Sequence, residues 1–142
     1  MEYITYHSTL EKNISDILKN GFKENFGKGF GTTFGNGIYT SPDIKYVSTY
    51  NIECNKILVC KIKPNKIKNI NIKEFLYLKR KYKNKLEELD LLIISDANEY
   101  ICKNVNCIRV IQVITINRII KKNKDGQQYI DDIIIEEKLD IE

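Results

Sequence analysis

The chain has 142 residues, 42% hydrophobic and 30% charged, the size and balance of one ordinary globular domain, which excludes collagen-like, mucin-like and wholly disordered readings. Its net charge of +4 comes from 23 basic and 19 acidic residues, a mild and largely lysine-borne excess that permits nucleic-acid binding without indicating it. No apolar run reaches the length of a membrane span, and the opening MEYITYH lacks the basic end and apolar block of a secretory leader, so the expectation is an intracellular protein, of cytoplasm or nucleus, without a membrane partner.

From the N-terminus, 3–6 alternates as a strand and hands over at His7 to Ser8-Thr9-Leu10-Glu11, an S-x-x-E capping box that opens a helix over 8–20. Leu10, Ile14, Ile17 and Leu18 form its apolar face, and Asn20-Gly21 stops it. Glycines 27, 29, 31 and 35 then break up 22–36 into a long loop, and loops of that length inside a small domain are usually functional. Residues 37–40 read as a short strand. Ser41-Pro42-Asp43 supplies a cap, a first-position proline and an acid for a helix over 42–50. A strand over 56–63, a polar connection over 64–72 and a basic helix over 74–89 come next. Strands at 91–94, 100–102 and 108–116 follow, then a Lys124-Asp125-Gly126 turn into a last strand at 129–136. Helices gathered early and β-branched runs afterwards predict an α+β fold with a largely antiparallel sheet.

Cys54, Cys60, Cys102 and Cys107 fit no C-x-x-C spacing, which predicts free thiols rather than a metal or redox centre. His7 is the chain's one histidine, so any imidazole chemistry rests on it. A lone histidine is ordinarily a structural one, but further features accompany this one: after the glycine loop comes GIYTSPDIKYVSTY, and much later Asn98-Glu99-Tyr100-Ile101 precedes the strand-rich C-terminal part.

Taken together these segments resemble the ADP-ribosyltransferases of the poly(ADP-ribose) polymerase, or diphtheria-toxin-like, superfamily, whose triad is His, Tyr, Glu. Tyr6-His7-Ser8-Thr9 is similar to that family's H-G-[ST] strand end. Phe34-Gly35-Asn36-Gly37-Ile38-Tyr39 is similar to its F-G-x-G-I-Y motif, and Asn98-Glu99-Tyr100-Ile101 to its N-E-Y-I motif. Ile17-Leu18-Lys19-Asn20-Gly21-Phe22 and Tyr50 also fit, so the resemblance covers roughly the first 116 residues.

The resemblance implies one catalytic domain over residues 1–142, α+β, with the family's split, mostly antiparallel sheet and flanking helices. It implies NAD as a substrate rather than a recycled cofactor, no metal, and transfer of single ADP-ribosyl units to a protein or nucleic-acid acceptor with release of nicotinamide. By the same carry-over Glu99 would bond the ribose 2′-hydroxyl and face the oxocarbenium-like cation that forms as the glycosidic bond breaks. His7 would bond the adenosine ribose, the backbone at Ser8 the carboxamide, and Tyr39 and Tyr50 would hold the nicotinamide ring between them. Gly35 and Gly37 belong to the loop expected over the pyrophosphate, in which Lys28 is the one cation. That loop lacks the context of a Rossmann glycine motif.

Two positions depart from the family: Ser8 replaces its usual glycine, and Val47 stands where many members carry a serine that donates to the nicotinamide carbonyl. Either the neighbouring Ser48 takes over that bond through a shifted helix, or the pocket holds nicotinamide more weakly. Two other readings stand beside the enzyme. One is a silent NAD- or ADP-ribose-binding module that has lost turnover. The other is a nucleic-acid-binding protein using the basic helix around Lys79, Arg80, Lys81, Lys83 and Lys85, against which Glu87 and Glu88 count.

Overall fold

The computed structural model describes residues 1–24 and 33–141, the side chains at 83 and 84 excepted. The calls on Gly27, Lys28, Gly29 and Gly31 therefore lie outside the described residues. The fold is α+β and mostly antiparallel, as expected. Among the described residues, eight strands form two four-stranded sheets. The first has the order β1 (Tyr3–His7), β3 (Lys56–Ile62), β7 (Ile108–Lys122), β8 (Gln128–Asp140). The second has the order β2 (Ile38–Thr40), β6 (Glu99–Cys102), β5 (Leu91–Ile94), β4 (Ile67–Ile70).

The two sheets face each other across a core in which Leu58, Cys60 and Ile62 of β3 meet Leu91 and Ile93 of β5, with Ile14 closing one end. Alternation then sends Leu92, Ile94 and Ile101 to the far side of the second sheet, under Phe75 and Leu86. The far side of the first sheet carries Ile57, Val59, Ile114 and Ile116, capped by Val47. The sheets touch through backbone at one point. Tyr6 N–H donates to Ser41 O at 2.8 Å and Ser41 N–H to Tyr6 O at 3.1 Å, which brings the end of β1 beside β2.

Several elements differ from expectation for visible reasons. Helix α1 spans Glu11–Asn20 and begins at Leu10 with no side-chain cap. The Ser8–Glu11 capping box does not form, because Ser8 Oγ accepts from Asn51 Nδ2 at 3.1 Å instead. Helix α2 is only Ile44–Val47, capped by Asp43, not Ser41, with the Asp43 carboxylate accepting from the amides of Lys45 and Tyr46. It stops early because Ser48 and Thr49 turn their hydroxyls onto the carbonyls of Lys45 and Tyr46, both at 2.6 Å. The expected helix over 74–89 is two, α3 (Ile72–Lys81) and α4 (Lys83–Glu87), broken at Tyr82. That break lets Leu86 fold back onto the Phe75 cluster. The supposed polar connection contains β4, which pairs in parallel with β5 through the α3–α4 crossover a parallel pair requires. The four cysteines are free.

Candidate functional site

A cleft of about 960 Å³ opens where the two sheets touch, at the upper end of the range for small-molecule sites. His7, Ser8, Gly37, Tyr39, Tyr50 and Glu99 all line it. Each arrives from a different local device. His7 is the last residue of β1 and Tyr39 the middle residue of the three-residue β2. Glu99 opens β6 immediately after Asn98, whose left-handed backbone (φ 52°) reverses the chain out of the single 3₁₀ turn Ser95–Ala97, a conformation asparagine tolerates better than most residues.

The imidazole is fixed by its partner. His7 Nδ1 lies 2.7 Å from the carbonyl oxygen of Tyr39. A carbonyl can only accept, so Nδ1 carries the proton and donates. Burial lowers the His7 pKa from 6.5, opposed by that bond, so the ring is neutral at pH 7 with Nε2 an acceptor. The ring of Phe22 packs edge-on against it, centroids 5.3 Å apart.

Glu99 is 6% exposed and is held by two phenols. Tyr46 Oη donates to Glu99 Oε1 at 2.6 Å, and Tyr50 Oη sits 3.0 Å from the same oxygen and 2.6 Å from Tyr46 Oη. Burial raises the pKa of both tyrosines, so they stay protonated and the carboxylate must be the acceptor. Burial raises Glu99 above 4.5, and the two phenol bonds pull it back down. Both donors converge on Oε1, which turns the second carboxylate oxygen to other use.

Tyr39 is tied differently. Its hydroxyl donates to Gly35 O at 2.6 Å and accepts from Phe34 N–H at 2.8 Å, so the phenol staples the chain entering β2 and burial lifts its pKa well above 10. Gly37 has φ 155°, and a Cβ there would lie 2.4 Å from Ile101 Cγ2 and 3.0 Å from Cys102 O. Only glycine lets β2 lie this close to β6.

Two of the sequence-named residues lie off the cleft surface. Gly35 is behind it, beside Lys103 and Glu87, where Lys103 Nζ donates to Asn36 O at 2.9 Å. Ser48 is fully buried and its hydroxyl is spent on the Lys45 carbonyl. Val47 does line the cleft, but as a 2% exposed member of the core.

Comparison with family models and with curated proteins found no match. What can be said of the site therefore rests on its own geometry. No group of three His, Cys, Asp or Glu side chains arranged to hold a metal occurs among the described residues, and no helix among them is long and apolar enough to cross a membrane.

Residues not singled out by sequence reasoning also carry the site. Tyr46 is the shorter of the two bonds to Glu99; its i, i+4 spacing to Tyr50 was the available signal. Arg118 of β7 gathers the loop after α2: Nε donates to Ser48 O (2.9 Å), Nη1 to Ile52 O (3.0 Å) and Nη2 to Cys54 O (2.8 Å). That loop carries Tyr50 and Asn51, both on the cleft wall.

Proposed function

We propose that this protein is an NAD-dependent ADP-ribosyltransferase that moves single ADP-ribosyl units to a macromolecular acceptor and releases nicotinamide. The observation that carries the reading is convergence. The histidine, tyrosine and glutamate whose motifs resemble the superfamily's triad come from three separate strands and line one cleft. An arbitrary set of short motif matches has no reason to meet in space.

The chemistry asked of each residue suits its surroundings. As the bond between the ribose C1′ and the nicotinamide nitrogen breaks, positive charge grows on the sugar, and a preoriented carboxylate lowers that barrier most. Glu99 is oriented through Oε1 by Tyr46 and Tyr50, leaving its other oxygen for a ribose hydroxyl and for the proton of an incoming acceptor. The neutral His7, with Nδ1 committed to Tyr39 O, offers Nε2 to a second ribose hydroxyl. Tyr39 and Tyr50 supply aromatic walls whose tips are anchored to backbone and to Glu99 respectively.

The test is incubation with NAD labelled on the adenylate, following nicotinamide release and the fate of the label in wild type and Glu99→Gln. Label on protein or nucleic acid, abolished by Glu99→Gln, supports transfer; NAD left intact by wild type overturns it. A second reading, a pocket that binds NAD or ADP-ribose without turning it over, is favoured by one observation. With valine at 47 and the Ser48 hydroxyl on Lys45 O, neither position donates to a carboxamide. Calorimetric binding of NAD with no nicotinamide release would select it.

A further inference from the structure

The charge of this chain is unevenly placed. Residues 61–85 contain ten lysines and arginines and one glutamate, a net +9, whereas 1–60 hold six basic and six acidic residues and 86–142 hold seven basic and twelve acidic. A chain-wide preference for lysine does not make such a partition. In the fold this segment starts at the end of β3, where Lys61 and Lys63 pair with Glu2, and its other eight cations fall on β4, α3, the start of α4 and the residues beside them. Between β4 and the helices lies a groove of about 600 Å³ separate from the larger cleft.

The groove joins charge to an aromatic. Lys68 of β4, the open edge of its sheet, and Lys66 just before it line one side, and Tyr82 at the α3–α4 break and Lys85 of α4 line the other, over a floor that includes Leu78 and Leu86. Among the described residues, Glu88 is the one acidic residue on the groove. Lys85 Nζ sits 5.4 Å from the Tyr82 ring centroid, covering one ring face, while the residue stays 48% exposed. Tyr77, 57% exposed, shares the next helical stripe with Arg80 and Lys81 by its i, i+3, i+4 spacing. Cations that meet phosphates, interleaved with exposed rings on which bases stack, are the two components of a single-strand binding surface. An acidic protein would use the cations and leave the tyrosines without a role.

We propose that the β4–α3–α4 face binds single-stranded nucleic acid, with phosphates on Lys66, Lys68 and Lys85 and bases stacked on Tyr82 and Tyr77. The surface stands whether or not the cleft turns over NAD. It is also anchored close to the cleft, since Asp96 Oδ1 accepts from Ile72 N–H at the start of α3 (2.8 Å) and Ser95 Oγ donates to Ile70 O (3.3 Å), three and four residues before Glu99.

The test is fluorescence anisotropy of the full chain with a fluorescein-labelled twelve-residue oligouridylate, its double-stranded counterpart, and polyglutamate of matched charge as competitor. The single strand should bind more tightly than the duplex. With these three lysines engaged, log affinity should fall with log salt at a slope of about −2, and Lys66→Ala/Lys85→Ala should flatten that slope by about 1.4. Tyr82→Ala should weaken binding about five- to a hundredfold and Tyr82→Phe little. Tyr77→Ala, at a more exposed position, provides the same reading if the Tyr82 variant loses its circular-dichroism signature. Absence of binding at 50 mM salt overturns the proposal. So does equal affinity for duplex, or competition by polyglutamate that equals unlabelled oligonucleotide together with full-strength binding by both tyrosine variants.

Discussion

Tyr46→Phe isolates one bond of the site. The substitution keeps the ring, and with it the edge-on packing against Tyr50 at 5.4 Å, while deleting the 2.6 Å hydrogen bond to Glu99 Oε1. A hydrogen bond to an ionised acceptor contributes about 1.5–3 kcal/mol. Part of this returns, because Tyr50 Oη already lies 3.0 Å from the same oxygen and no longer has Tyr46 Oη as a competing acceptor. A net loss of about 1–2 kcal/mol is expected. Since the phenol stabilises the charged carboxylate, its removal raises the Glu99 pKa further in the direction that burial already pushes it.

On the acid limb of the rate profile, where the carboxyl is mostly protonated, the active fraction then drops about five- to thirtyfold. As the pH rises past the carboxyl's folded-state pKa in both proteins, the two profiles converge and the rate returns toward that of wild type. Nicotinamide release measured from pH 4.5 to 8.5 at saturating NAD reads both regimes, and carbon-13 NMR of the glutamate carboxyls follows the same titration without any turnover. His7, whose pKa lies below 6.5, is untouched by the substitution and its inflection should not move. Superimposable acid limbs in wild type and Tyr46→Phe would refute the claim that this phenol holds the carboxylate ionised.

Glu99→Gln should keep NAD binding and lower nicotinamide release by about a hundredfold or more. Because the folded-state pKa of Glu99 is raised, its contribution to stability is full below 4.5 and is lost as pH rises through the folded value. The glutamine variant should therefore melt at the same temperature as wild type or higher at pH 7, with the gap closing toward pH 4.5. Gly37→Ala forces a Cβ against Ile101 and Cys102 O at positive φ and should cost about 2–4 kcal/mol in urea unfolding. Thr5 Oγ1 is buried without a hydrogen-bond partner, so Thr5→Val, which preserves the shape, should gain about 0.5–1.5 kcal/mol by the same measurement.

Most of the strands and the stop of α1 were legible because they depend on neighbours in sequence. The run at 56–63 is apolar on both faces, as a strand inside a sheet must be, and β3 is flanked by β1 and β7. Gly21, with φ 77°, ends α1 as Asn20-Gly21 predicts. What escaped depended on distant partners. The Ser8 capping box was a local possibility outcompeted by Asn51, 43 residues away. β4 is four residues long with one buried, and only pairing with β5 makes it a strand. His7, Tyr39 and Glu99 could be named from motif order. Tyr46 was missed: its i, i+4 spacing to Tyr50 puts the two rings on one side of the chain, but YVSTY alone does not show that they reach Glu99. Ser48 was named because it adjoins Val47, but at the end of so short a helix its hydroxyl meets the Lys45 carbonyl first.

The Arg118 clasp has a consequence for how the cleft comes into being. Its guanidinium takes up the carbonyls at 48, 52 and 54, acceptors that lie past the end of α2 and have no helical partner. The wall bearing Tyr50 thus gets its shape from a residue 68 positions further along the chain, on a strand whose pairing with β3 spans a comparable distance. Loop-closure entropy must be met before such contacts form, so the cleft wall sets only after β3 and β7 have paired. A nascent or truncated chain ending before β7 would contain His7, Tyr39 and Glu99 without the ordered wall that shapes the cleft around them.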